Sequence, residues 1–175
     1  MTTSENLFIF LTLFILLILV FVVKKIPWEK IGFTSKPLYK GWLPIFLFSF
    51  GIFILVQMFI NFLKFPVWIT DKDPLIPLLV IVFLQELIFR SFLITWLERW
   101  GKQKALWIST IVFVLFHLVS PYTWSSIGLI FAGLTFFGGY FWAWHFLKYR
   151  NIYLLTISHL IVNLSFNYVF FDFLF

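Results

Sequence analysis

Six polar residues that could do chemistry together are embedded in apolar runs of this chain. They are Gln85, Glu86, Arg90, His117, His159 and Asn163. Glu86 and Arg90 are four residues apart, so on a helix they share a face and can form an ion pair. A carboxylate and an imidazole can take a proton from water, while an imidazole and a carboxamide can donate hydrogen bonds to an oxyanion. The set therefore indicates hydrolysis by an activated water molecule.

Other chemistries have weaker support in the sequence. Two His and one Glu match the ligand set of some zinc hydrolases, but the helical signature of two His four residues apart with an adjacent Glu is absent. We therefore expect no metal and no other cofactor. The sequence has no Cys, which excludes thiolate catalysis, and it has no Gly-rich phosphate loop. The plainer interpretation of the six residues is a buried ion pair with polar packing contacts.

The composition indicates that these residues lie in a protein surrounded by lipid rather than by water. The 175 residues are 62% hydrophobic, 24% aromatic and 11% charged, which excludes an ordinary water-soluble domain. Leu7–Val23 has no charged residue and nearly reaches the roughly 20 residues that cross a bilayer. Further spans are predicted at Gly41–Leu63, Pro74–Leu97, Ala105–Ser120, Trp124–Leu147 and Ile152–Phe171. The predicted fold class is all-α, a polytopic transmembrane bundle of about six helices, with residues 1–175 forming a single integral membrane domain.

A position inside the membrane favours a functional role for the polar residues over a packing role. A charged side chain at the centre of a bilayer costs on the order of 3 kcal/mol, and such residues mark functional sites more often than packing contacts. The six residues lie within three of the predicted spans. We therefore favour a shared functional site over separate packing contacts.

The Lys and Arg positions predict the orientation of the bundle. Five basic residues follow the first span, three lie between the third and fourth spans, and two lie between the fifth and sixth. These connections share one side of a six-span bundle, and loops rich in Lys and Arg face the cytoplasm. Both termini are therefore predicted to be non-cytoplasmic. The net charge of +6 reflects this topology and attraction to anionic membrane lipids, and no nucleic-acid partner is indicated.

Two further features are interpreted as interfacial. His145, close to Lys148 and Arg150, is predicted to extend towards lipid headgroups. The stretch IPWEKIGF (26–33) is predicted to form a short helix on the membrane surface.

Three short motifs give the chain a family resemblance. QELIFR (85–90), FVLFH (113–117) and HLIVN (159–163) resemble the Glu-Glu-x-x-x-Arg, Phe-x-x-x-His and His-x-x-x-Asn elements of the CAAX protease and bacteriocin-processing family of intramembrane endopeptidases. The elements occur in the family's order, each on a predicted span, and the resemblance covers about residues 75–170. It implies a helical bundle with a polar cavity that opens towards the cytoplasm.

The resemblance also implies roles for individual residues. In the family, the first Glu of the first element and the His of the second activate a water that attacks a peptide carbonyl. Carried over, His117 assists the water, His159 and Asn163 hold the oxyanion, and Arg90 holds Glu86. The implied substrate is a peptide or membrane protein, prenylated as in eukaryotic members or bacteriocin-like as in bacteria. A bacterial source fits so short a chain, so the expected location is a bacterial cell membrane.

The sequence departs from the family at position 85, where Gln85 replaces the first Glu. A carboxamide does not accept a proton at neutral pH, and loss of a general base lowers a rate by about 10²–10⁴. Three explanations remain open. Glu86 acts as the base with His117, or the chain is a naturally inactive relative kept for binding, or Gln85 is an engineered isostere of the catalytic Glu.

The leading functional prediction is a glutamate-dependent intramembrane peptidase whose activity is impaired to an extent set by Gln85. The alternative is a catalytically inactive relative that acts as a bacteriocin-immunity protein or membrane scaffold. A third hypothesis is a small transporter or proton relay, since ionisable groups can also line an ion path. The sequence lacks the repeats and broken helices typical of transporters, so this hypothesis ranks last.

Overall fold

The computed structural model of the chain describes residues 11–12, 15, 18–19, 22, 25–34, 38–63, 75–118 and 126–167. The described residues of the first predicted span, Leu7–Val23, are helical, and its other residues lie outside the described set. Five longer helices follow: α1 (Leu38–Leu63), α2 (Leu75–Trp100), α3 (Lys102–Leu118), α4 (Ser126–Tyr149) and α5 (Ile152–Asn167). The described residues contain no strand. The prediction of an all-helical fold is therefore confirmed for this part of the chain.

Local signals explain where the helices end. Gly101 follows α2 with a φ of 106°, and Arg150 follows α4 with a φ of 51°. These left-handed conformations cannot continue a helix. Asn151 then begins α5 as its N-cap, because its Oδ1 atom accepts a hydrogen bond of 2.9 Å from the backbone N–H of Leu154. The predicted spans agree with the five helices to within three residues at every boundary that lies among the described residues.

Helix α2 changes geometry beside its polar residues. It is α-helical over Leu75–Glu86, π-helical over Leu87–Phe92, α-helical over Leu93–Leu97 and 3₁₀-helical over Glu98–Trp100. The backbone N–H of Leu93 donates to the carbonyl of Ile88, five residues earlier. Single π turns inside α-helices are frequent at functional sites. Here the π turn begins directly after Glu86 and contains Arg90.

Two of the helices are long and apolar enough to cross a membrane. They are Tyr39–Ile60 in α1 and Leu78–Trp100 in α2, with mean hydropathies of 2.4 and 2.0. The α1 window is 22% buried and the α2 window 56%, so most of the apolar surface of α1 faces outwards, as expected for contact with lipid. The count of six membrane spans stays a prediction.

Helices α3, α4 and α5 each pack against α2. Helix α1 lies against α5, where Ser49 and Ser158 share a hydrogen bond of 2.7 Å. Helix α3 lies against α4, and the Phe113 and Trp142 rings meet edge to face at 6.0 Å. The buried core includes Leu84, Leu87 and Phe89 of α2, with Phe113, Trp142 and Leu155 from the helices around it. Helix α2 therefore contacts α3, α4 and α5, while α1 joins the bundle mainly through α5.

Three connections meet at one end of the bundle. Lys30, in the segment before α1, accepts hydrogen bonds at its carbonyl from Thr95 of α2 and from Arg150, between α4 and α5. Arg150 also forms an ion pair with Glu98. The segments predicted to share the cytoplasmic side are therefore neighbours in space. Which side of the membrane they face stays a prediction.

The helix predicted for residues 26–33 is wrong, and so is the prediction that His145 extends outwards. Residues 28–32 form successive turns rather than a helix, because the segment is seated on the protein: Ile31 is 1% exposed and its carbonyl accepts a hydrogen bond from Ser91. His145 is fully buried, and its Nε2 atom lies 2.9 Å from the carbonyl oxygen of Gly41. A Cβ atom on Gly41 would come within 3.1 Å of that nitrogen. The absence of a side chain at Gly41 is what lets the ring pack there instead of extending outwards.

Candidate active site

A carboxylate from α2 and an imidazole from α5 form the centre of the site. The Nδ1–H group of His159 donates to Oε1 of Glu86 over 2.7 Å. Glu86 is 0% exposed and His159 is 3% exposed. Hydrogen bonds to an ionised group inside a protein are stronger than neutral ones. The bond therefore fixes the tautomer and the orientation of His159 with its Nε2 atom on the side away from Glu86.

Arg90 balances the buried carboxylate from one turn further along α2. Its Nε atom lies 3.6 Å from Oε2 of Glu86, and its Nη1 atom lies 3.5 Å from Oγ of Ser109 on α3. The guanidinium carbon also sits 4.2 Å from the centre of the Phe113 ring, within range of a cation–π interaction. The pairing predicted from the four-residue spacing is thus present, in a fully buried setting.

His117 has a defined tautomer as well. Its Nδ1 atom lies 2.8 Å from the backbone carbonyl oxygen of Phe113. A carbonyl is an acceptor, so Nδ1 carries the hydrogen and a neutral ring keeps its lone pair on Nε2. The α3 backbone itself therefore prepares His117 to accept a proton at Nε2.

The Phe113 ring gathers the polar groups of three helices. Its centre lies 4.4 Å from that of His117 and 5.8 Å from that of His159, and Arg90 is stacked on it. Gly139 of α4 leaves room for this ring, since a Cβ atom there would come within 3.0 Å of Phe113. The Phe113 ring therefore contacts Arg90, His117 and His159 at once.

A cavity lies beside the two imidazoles. It contains about 40 Å³ of space that water can occupy, and one water molecule needs roughly 10–15 Å³ on this measure. The polar groups of its lining are His117, His159, Asn163 and Thr135. The rest of the lining is mainly apolar and includes Phe48, Ile52, Leu134, Val162 and Phe166. The cavity can thus hold a few waters or a small polar group against an otherwise apolar wall.

The six residues singled out in the sequence fall into three positions. His117, His159 and Asn163 line the cavity. Glu86 and Arg90 are fully buried and lie behind His159 and Phe113. Gln85 is 8% exposed, is not among the described residues that line the cavity, and forms no hydrogen bond with Glu86 or His159 within the described part of the chain. The fold brings five of the six residues together, and the sixth, Gln85, is buried outside the described lining of the cavity.

Sequence reasoning missed three contributors to the site. Phe113 entered as a letter of a motif, although its ring organises the polar groups. Ser109, which accepts from Arg90 and donates to the carbonyl of Phe89 over 2.7 Å, had no signal beyond its place one helical turn before Phe113. Trp142 stacks on His159 with ring centres 4.3 Å apart and planes 25° apart. Among nine Trp, no pattern in the sequence distinguishes it.

Comparison with known proteins identifies a family. The family model described as type II CAAX prenyl endopeptidase Rce1-like matches residues 73–165, just over half of the chain. No curated protein and no solved structure matches. The match covers the three polar motifs, and together with the apolar helices it indicates an integral membrane protein of the peptidase kind. The chain therefore belongs to the Rce1-like family of type II CAAX prenyl endopeptidases.

Proposed function

We propose that this protein is an intramembrane endopeptidase that hydrolyses a peptide bond with water, using His117 as the base and His159 with Asn163 as the oxyanion site. The observation that carries the proposal is the cavity lined by two histidines, each of which is held through its Nδ1 atom. His117 is held by a backbone carbonyl, and in the proposal its neutral ring accepts a proton at Nε2. His159 is held by a buried carboxylate, and in the proposal it carries a second proton at Nε2.

His117 activates the water. Its Nδ1–H group is held by the Phe113 carbonyl at 2.8 Å, so Nε2 is the atom that takes the proton. The water oxygen forms a bond to the carbonyl carbon of the substrate, and the electron pair of the C=O double bond moves to the oxygen. A positioned base contributes about 10²–10⁴ to such a rate.

His159 and Asn163 stabilise the negative charge that develops on the carbonyl oxygen. A protonated His159 keeps its Nδ1–H bond to Glu86 and offers Nε2–H to the oxyanion. The Asn163 amide supplies a second donor from the same face of α5. The Glu86 carboxylate is fully buried, and its bond to Nδ1 fixes the direction of the Nε2–H donor.

The intermediate breaks down by returning the proton. Protonated His117 donates from Nε2 to the amide nitrogen of the substrate, the carbon–nitrogen bond breaks, and the electron pair of the oxyanion re-forms the carbonyl. The products are a carboxylic acid and an amine, and both histidines return to their starting states. Every proton transfer uses a group that lines the cavity.

Position 85 has a limited part in this scheme. Glu86 supports His159 through a direct bond of 2.7 Å, whereas Gln85 is not among the described residues that line the cavity. The proposal therefore differs from the sequence-based hypothesis in which Glu86 itself takes the proton from water, since Glu86 is fully buried. Gln85→Glu should then change turnover by less than the tenfold increase expected if a missing base were restored.

The substrate class follows from the wall of the cavity and from the family. Phe48, Ile52 and Phe166 give the cavity an apolar side, which suits a small apolar group beside the scissile bond. The family description names a prenyl endopeptidase. We therefore propose a prenylated C-terminal peptide or a membrane-protein segment as the substrate, entering from the predicted cytoplasmic side of a bacterial cell membrane.

Cleavage by the purified full-length protein tests the proposal. A farnesylated C-terminal peptide and its unmodified twin are incubated with protein in lipid nanodiscs, and the products are identified by mass spectrometry. We expect His117→Ala and His159→Ala each to lower turnover by at least about 10². His145→Gln, which changes the remaining histidine of the chain, is the matched control and should retain activity.

The same assay separates the alternative function. If the folded wild type binds the peptide but does not cleave it, and Gln85→Glu does not restore cleavage, the protein is a binding relative rather than a peptidase. Proton flux in liposomes that disappears with Glu86→Gln would instead favour the transporter hypothesis.

A further inference from the structure

We infer that Trp142 is a positioning residue for His159, held in place by a chain of hydrogen bonds that ends on α1. This inference rests on the proposed function, because it concerns the oxyanion donor. The indole and imidazole rings are stacked, with centres 4.3 Å and planes 25° apart. Nothing in the family match depends on this contact.

The hydrogen-bond chain has a single direction. The indole Nε1–H of Trp142 donates to Oγ of Ser158 over 2.8 Å. Ser49 donates its own hydroxyl hydrogen to the carbonyl of Ile45 over 2.7 Å, so in the 2.7 Å contact between Ser158 and Ser49 the hydroxyl of Ser158 is the donor. Each hydroxyl thus accepts one hydrogen bond and donates one. The chain fixes the rotation of the indole about its own axis.

Packing fixes the remaining freedom of the indole. A Cβ atom on Gly138 would meet the far edge of the ring at 3.2 Å, so that position closes one side. The rings of Phe113 and Phe48 stand edge to face with the indole at 6.0 and 6.1 Å. Trp142 is 3% exposed. It therefore offers His159 a flat surface that cannot rotate away.

The stack restrains the imidazole in two ways. Glu86 holds Nδ1 at one point, which leaves the ring free to swing about the hydrogen bond. A flat surface against the ring removes that swing, so Nε2 keeps its direction towards the cavity. The electron-rich face of an indole also favours a cation above it, which suits a histidine that carries positive charge while the oxyanion is present.

Ser49 gives α1 a part in the site. Ser49 lies outside the matched residues 73–165 and is 1% exposed. It connects the series of hydrogen bonds to the α1 backbone. The inference therefore predicts that a substitution on α1 affects a histidine on α5 without contact between the two side chains.

Proton NMR of the detergent-solubilised protein tests the inference without any need for activity. The chain has three His, so an imidazole N–H signal can be assigned by replacing each in turn with Gln. The Nδ1–H of His159, bonded to a carboxylate, should give a far-downfield signal protected from exchange with water. We expect Trp142→Leu to speed that exchange by about 2- to 12-fold, the loss expected when an aromatic pair is removed. Trp142→Phe, which keeps a ring face, should retain most of the protection.

Trp144→Leu is the matched control. Trp144 lies on the same helix and packs near Phe141 and Tyr149, so the same substitution there should leave the His159 signal unchanged.

If Trp142→Leu does not fold, Gly138→Ala takes its place, because the added methyl group displaces the indole by a few tenths of an ångström. Ser49→Ala should also speed the exchange, by less than Trp142→Leu.

The exchange measurement and the cleavage assay can fail independently, so failure of the positioning role can be told from failure of the proposed function. Unchanged exchange in Trp142→Leu, or in Gly138→Ala where that variant is used, overturns the positioning role even if the protein is an active peptidase. Faster exchange in a protein that cleaves no peptide supports the positioning role and removes the proposed chemistry. When cleavage is present, Trp142→Leu should lower kcat and Trp142→Phe should recover it.

Discussion

Replacement of Glu86 by Gln offers the sharpest test of the buried charge arrangement. The Gln side chain keeps the size of Glu and can still accept a hydrogen bond from His159, but it removes the negative charge beside Arg90. The Nε atom of Arg90 and the Oε2 atom of Glu86 are 3.6 Å apart, which corresponds to an attraction of about 5 kcal/mol at an effective dielectric constant of about 20. Breaking a buried ion pair from one side generally costs about 3–5 kcal/mol. We expect Glu86→Gln to lower the free energy of unfolding by that amount.

The chain contains its own control for this experiment. Glu98 also pairs with an arginine, Arg150, but its side chain is 15% exposed and that of Arg150 is 23% exposed. Ion pairs near a surface contribute about 0–1 kcal/mol. Glu98→Gln should therefore change the stability by far less than Glu86→Gln, although the chemical change is identical.

The assay is unfolding in mixed micelles, with sodium dodecyl sulfate as denaturant and helicity measured by circular dichroism. The double variant Glu86→Gln with Arg90→Gln should recover at least half of the lost stability, because no uncompensated charge remains buried. If Glu86→Gln and Glu98→Gln cost the same small amount, Glu86 does not compensate Arg90 and the account of the site is wrong.

Three further predictions concern the framework and its orientation. Gly32 has a φ of 92°, and a Cβ atom there would lie 2.7 Å from Phe146. Gly32→Ala should therefore lower the free energy of unfolding by about 2–4 kcal/mol in the same assay. Gly51→Ala is the control and should not destabilise the protein, because a Cβ atom at Gly51 has no neighbour within 4 Å. Asn151→Ala removes the N-cap of α5 and a hydrogen bond of 2.8 Å to the carbonyl of Thr34, and should cost about 1–2 kcal/mol; an unchanged midpoint would refute the capping role. The chain has no Cys, so Gln103→Cys provides a single labelling site, which a membrane-impermeant maleimide should reach from the cytoplasmic side; labelling from outside would reverse the predicted topology.

Much of the helical framework was predictable because its signals are local. Apolar length alone indicated α1 and α2, and the start of α5 at Ile152 was predicted at the residue where the structure has it. The end of α2 was predicted at Leu97 but lies at Trp100, because a 3₁₀ turn continues the helix as far as Gly101. The π turn at Leu87–Phe92 was not predicted, since hydrophobic periodicity assumes regular helical geometry.

The mistaken predictions share a physical cause. His145 was assigned to the membrane surface because Lys148 and Arg150 lie close to it, and the segment 26–33 because its sequence is amphipathic. The His145 ring instead contacts the carbonyl of Gly41, and the Ile31 carbonyl of the segment accepts a hydrogen bond from Ser91, so both have partners that are distant in sequence. A single-sequence pattern measures the polarity of a segment, not the presence of a partner that satisfies its polar groups.

For the candidate site, the sequence by itself determined which groups are available and which of them are neighbours along a helix. The pairing of Glu86 with Arg90 and the common face of His159 and Asn163 follow from a four-residue spacing on one helix, which is a property of the backbone. The contact between His159 and Glu86 joins residues 73 positions apart, and tertiary packing alone decided it. Packing also decided that Glu86, and not its neighbour Gln85, bonds to His159. Adjacent residues on a helix point about 100° apart, and only the neighbouring helices determine which of them meets a partner.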